Sequence, residues 1–145
     1  MANWREVDEG DLAATISQGE IDAYRHQGPS DGSDPVARLL LSTVETVRGY
    51  ISCNGAVRMG PARTLPNSLV IPAMDYAAGK LLNRIDSPLS EDRRNALRRA
   101  EELFEKIACS AMTPESYSED ELVDDDRRAA TSPAFAPASP ARLLD

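Results

Sequence analysis

The sequence predicts an all-α fold, a small bundle of about four to five helices with a long central loop and an extended C-terminal arm. Three observations lead there. The stretch Pro66–Ile85, PNSLVIPAMDYAAGKLLNRI, is apolar almost all the way round. A surface helix carries only an apolar stripe, so a helix this apolar is expected at the centre of a bundle. Clear helix-start signals precede most of the other apolar periodic runs. From Pro114 onward the composition changes to an acidic and then Pro-, Ala- and Ser-rich stretch, which buries too little apolar surface to fold alone. The expected boundaries are a helical domain over 1–114 and an arm over 115–145.

In chain order, Asp8 caps a first short helix over 9–16, with Val7 and Leu12 at the two positions of a hydrophobic staple. Ser17 and Glu20 form a capping box for a second helix over 18–26, and Ile16 with Ile21 repeats the staple. This pair is not expected to read DNA, because Gln18, Glu20, Asp22 and Arg25 suit neither phosphates nor base edges. Gly28–Gly32 is a turn. Asp34 caps a third helix that has Pro35 at its first position and runs to about residue 52. Its apolar face includes Leu40, Val44, Val47 and Ile51, opposite Arg38, Ser42, Glu45 and Arg48.

Residues 54–66 form a long connection containing Arg58 and Arg63. It is either a functional or mobile loop, or a surface loop that tucks Val57 and Leu65 onto the core. In the central helix, Pro72 fits the first turn, and kinks the helix if it begins at Pro66. Gly79 is expected to allow close packing. Ser90 caps a last helix over 91–109 that buries Leu97, Ala100, Leu103, Phe104 and Ile107. Its outer face carries Arg93, Arg94, Arg98 and Arg99, then Glu101, Glu102 and Glu105. These arginines are candidate partner contacts, although the glutamates three and four residues away make a solvated face the plainer expectation. In the arm, Leu122, Val123, Phe135, Leu143 and Leu144 stand as isolated apolar anchors for a partner surface.

The formal net charge is −8. Residues 115–145 hold eight acids and three arginines, which leaves the helical part near balance. A general nucleic-acid binder would show a basic excess. Cys53 and Cys109 fit no metal or redox spacing and are expected as reduced thiols in or near the core, with no secretory segment ahead of them. His26 has no companion for a metal site or a triad. Glycine patterns for nucleotide phosphates are missing, and Asp124, Asp125 and Asp126 are contiguous rather than alternating as in a calcium loop. Asp75, on the apolar central helix, is expected to be partly buried and paired with an arginine such as Arg48 or Arg84. No enzyme activity, cofactor, metal or membrane span is expected.

The succession of elements resembles the head–tail connector (adaptor, or head-completion) proteins of long-tailed phages and prophages. The resemblance covers about residues 8–112 and rests on four pieces: DLAATISQGEIDAY, ARLLLSTVETVRGYI, LPNSLVIPAMDYAAGKLL and RRNALRRAEELFEKIACSAM. The loop without aromatic residues and the long arm depart from the family pattern. The resemblance implies a structural virion protein, made in the host cytoplasm and placed at the head–tail interface. Such proteins form a ring, commonly of twelve copies, beneath the portal protein. The ring extends the DNA channel and docks a tail-side connector, stopper or tail-completion protein, with DNA only passing through. The candidate contacts are Arg58, Arg63, Arg93, Arg94 and Arg98 with the five arm residues. A competing assignment from composition alone is a small cytosolic helical adaptor whose acidic arm masks a basic partner.

Overall fold

A computed structural model describes residues 2–28 and 32–118. Five α-helices and one two-stranded sheet make up this body. Strand β1 spans Trp4–Glu6, followed by helices α1 (Glu9–Ala13), α2 (Gln18–His26) and α3 (Pro35–Ser52). Strand β2 (Thr64–Pro66) runs into a 3-10 turn over Asn67–Leu69, then α4 (Val70–Arg84) and α5 (Glu91–Ala108).

The helix starts lie where the caps put them. Asp8 and Ser17 each close a reciprocal capping box, with Asp11 and Glu20, so two orphan amide donors are satisfied at each start. Asp34 accepts from the Val36 amide and Ser90 from the Arg93 amide. The first helix is shorter than expected, because the chain already turns at Ala14 and Thr15.

The central helix begins later than Pro66. Thr64–Pro66 pairs antiparallel with β1, Trp4 opposite Pro66 and Glu6 opposite Thr64. The α-helix starts only at Val70, so Pro72 falls in its first turn, where no intrahelical donor is lost. Beyond it, Ala73, Met74, Ala77, Ala78, Leu81 and Leu82 are buried, and α5, α3, α1 and α2 all pack on α4. A Cβ on Gly79 would stand 2.9 Å from the Leu97 side chain, so glycine permits the close approach of α5. Phe104 joins three helices: it stacks on Tyr50 at 5.7 Å and meets Tyr76 edge-on at 5.9 Å.

The body extends past residue 114. Residues 113–118 form a strap laid across β1 and the long connection. The Trp4 indole donates to the Glu115 carbonyl at 3.0 Å, and the Asn3 amide side chain donates to the Ser116 carbonyl at 2.8 Å. The Tyr117 amide donates to the Arg58 carbonyl at 2.9 Å. The boundary expected after residue 114 therefore cuts through packed structure.

Candidate functional site

The long connection over 54–66 is pinned from both sides. Arg48, expected on the solvent face of α3, reaches over it instead. Its guanidinium donates to the carbonyls of Pro61, Thr64 and Gly60 at 3.0, 2.7 and 3.1 Å, and lies 5.8 Å from the Trp4 ring centre. Gly60 is wedged where a Cβ would stand 2.9 Å from both Trp4 and Tyr117. Leu65 is fully buried, and Val57 packs half-buried against the core. The buried Asn54 side chain donates to the Met112 carbonyl and to Thr113, locking the start of the connection to the end of α5.

The predicted arginines do not form one patch. Arg58 belongs to the strap: its guanidinium donates to the Tyr117 carbonyl and sits 5.9 Å from the Tyr117 ring centre. Arg63 is exposed and holds left-handed backbone, φ 72°, at the turn into β2. Arg93 pairs with Glu20 of α2 at 3.0 Å, and that bond holds the Glu20 carboxyl below its ordinary range. Arg94 donates to the Leu89 carbonyl at 2.9 Å. Arg98 only approaches Glu102, at 4.0 Å on the exposed face. Leu122, Val123, Phe135, Leu143 and Leu144 lie outside the described residues.

Two further expectations are corrected. Cys53 and Cys109 are exposed free thiols, because each is the C-cap residue of its helix, α3 and α5, beyond the buried stripe. Asp75 is half-buried but pairs with neither Arg48 nor Arg84. Arg48 is engaged by the connection, and Arg84 lies on the other side of α4. Burial pushes the Asp75 carboxyl up, with the charge of Arg99 on α5 pulling it partly back.

Two surface clefts flank α4. One is a cleft between α1 and the start of α4, lined by Arg5, Asp11, Ile71, Met74 and Asp75. Arg5 and Asp11 close a two-pronged ion pair there, at 2.8 and 3.0 Å, and Arg5 holds the Asp11 carboxyl below its ordinary range. Ile71 is 73% exposed on the cleft rim. Asp75 forms no hydrogen bond or ion pair among the described residues. The second feature is a polar cleft lined by Tyr24, Gln27, Arg38 and Arg84, where α2 ends beside the start of α3 and the last turn of α4. Arg38 and Arg84 are exposed, and neither has a polar partner among the described residues.

Sequence reasoning places Arg38 on the outer face of α3 but does not single out Ile71 or Arg84 as surface candidates. Ile71 belongs to the apolar stretch Pro66–Ile85, whose composition does not show which edge of the central helix the neighbours leave open. Among the described residues no three His, Cys, Asp or Glu side chains converge as a metal site, and no helix is long and apolar enough to cross a membrane. Comparison with protein families, with curated proteins and with solved structures gives no match for this chain.

Proposed function

We propose that this protein is a structural component of a phage or prophage particle, a head–tail connector that assembles as a ring beneath the portal protein. The ring extends the DNA channel and docks a tail-side connector, stopper or tail-completion protein, and twelve copies match the usual portal-side arrangement of the family it resembles. The observation that carries the proposal is the unfinished edge of α4. Ile71, 73% exposed, stands beside the half-buried Asp75, which has no polar partner among the described residues, on an otherwise well-packed central helix. Covering this edge by a second surface would bury the Ile71 side chain and bring a partner group to the Asp75 carboxylate. The order of capped helices, with an apolar helix at the centre and an Arg/Glu-rich helix last, supports the same role.

The acidic segment after Ser118 adds an electrostatic element. Repeated around a ring, Glu119, Asp120, Glu121 and Asp124–Asp126 would repel DNA phosphates and let the duplex pass without sticking.

The test is electron microscopy of lysates from a phage or prophage deleted for this chain. The expected result is full heads and separate, complete tails that fail to join. Empty or missing heads would move the function to capsid assembly or packaging. Normal infectious particles would overturn the structural role and favour a cytosolic adaptor.

A further inference from the structure

The two clefts beside α4 are complementary, and α4 itself sets them on different sides of the molecule. Asp75 and Arg84 lie nine residues apart on this helix. At 3.6 residues per turn that is two and a half turns, so their side chains leave α4 in opposite directions, about 13 Å apart along its axis. Arg84 therefore cannot turn back to the Asp75 of its own chain.

The Asp75 cleft supplies an exposed apolar rim residue, Ile71, above the buried Met74, and one acid with no polar partner among the described residues. The other acid that lines it, Asp11, is already engaged by Arg5. Arg99, which acts on Asp75 from α5, is not within ion-pair distance of it. The opposite cleft supplies two arginines with no polar partner among the described residues, Arg38 from α3 and Arg84 from α4, with the side chains of Tyr24 and Gln27 beside them. A planar guanidinium on a long stem suits such a receptor: its methylenes cover the apolar rim while its fork meets the carboxylate.

We propose that these surfaces meet between copies of this chain, the Arg38–Arg84 edge of one copy seating on the Ile71–Asp75 cleft of the next. The inference rests on the ring proposed above and names the contact that builds it. Two different patches joined in this way form a head-to-tail interface, which closes into a ring when the rotation per copy divides a full turn. Pairing of opposite charges leaves the acid of one edge and the arginines of the other satisfied throughout such a ring. A symmetric dimer would set Asp75 against Asp75 or arginine against arginine.

The experiment uses the full chain with Cys53→Ser and Cys109→Ser, so that no native thiol reacts. Ile71→Cys and Arg84→Cys are added singly and together, and the proteins are treated with a short bis-maleimide. The expected result is a ladder of covalent oligomers from the double variant. An equal mixture of the two single variants, one carrying a size tag, should give mixed dimers at least tenfold above either homodimer. Native mass spectrometry supplies the second measurement. Asp75→Arg or Arg84→Asp alone should weaken association at least tenfold, and the two together in one chain should restore most of it.

Homodimers of the Ile71→Cys chain as the main product would overturn the head-to-tail contact. Oligomers by mass spectrometry that give no ladder would remove this contact and leave the ring. A chain that stays monomeric at every concentration would also remove the contact, while the deletion phenotype tests the connector role independently.

Discussion

At the scale of single residues, Arg48 and Asp75 show how placement decides what a charge does. Arg48 satisfies three carbonyls of one connection with a single guanidinium. Replacing it by alanine removes this donor from all three carbonyls, although Thr64 still donates to that of Pro61, and removes the cation from the Trp4 ring. Arg48→Ala should cost about 2 kcal/mol of folding free energy by urea denaturation. Arg48→Lys should recover only part of this, since an ammonium cannot fork between carbonyls. Equal stability of Arg48→Ala and the parent chain would show that the connection is held without the Arg48 guanidinium.

Asp75 behaves in the opposite sense. Burial raises its pKa in the folded chain, so the charged form is disfavoured by folding. The penalty is absent below the ordinary aspartate value of 3.8, grows as pH rises through the folded pKa, and is complete at neutral pH. Asp75→Asn, measured by thermal melting at dilute concentration, should therefore raise the melting temperature at pH 7. The gain should shrink on acidification and vanish below the ordinary value. Arg99 opposes the shift, and the neighbouring Arg5 and Asp11 neutralise one another, so they do not reverse the sign. A lower melting temperature for Asp75→Asn at pH 7 would mean that the carboxylate is stabilised where it stands.

Among the elements, the helices were legible and the sheet and strap were not. Asp8, Ser17, Asp34 and Ser90 announce helix starts because a cap acts on amides two or three residues away. The signal and its effect lie in the same short stretch. Strand β1 pairs with residues some 60 positions later, and three residues are too few for a period-2 pattern to register. The strap depends on partners more than 100 residues upstream, such as Ser116 with Asn3. For the same reason the composition change near Pro114 did not mark the end of packed structure. A chain ending at Met112 loses the Trp4–Glu115 bond and the contacts of Tyr117. Its stability should fall by about 3 kcal/mol. A chain ending at Ser118 keeps every contact described for the strap and should melt within about 0.5 kcal/mol of the full chain. Calorimetry on both distinguishes a strap that holds the body from one that merely rests on it.

For the whole molecule, the candidate surfaces were the least legible part. The sequence marked arginines by number and spacing, yet the fold spends Arg58 and Arg93 on internal contacts and leaves Arg38 and Arg84 with no polar partner among the described residues. Whether a cation is available to a second molecule depends on how the helices pack, and charge patterning along one helix does not report that. The strap has one more effect at this scale. Residues 3 and 118 are hydrogen-bonded directly to each other through backbone and side chain. The two ends of the described body thus meet at a single seam. A mechanical pull applied across these two points loads that seam first, peeling Ser118 from Asn3 and then Glu115 from Trp4, before tension reaches the buried contacts around Phe104. A chain held through both ends of this body would yield there first, with its helical core still intact.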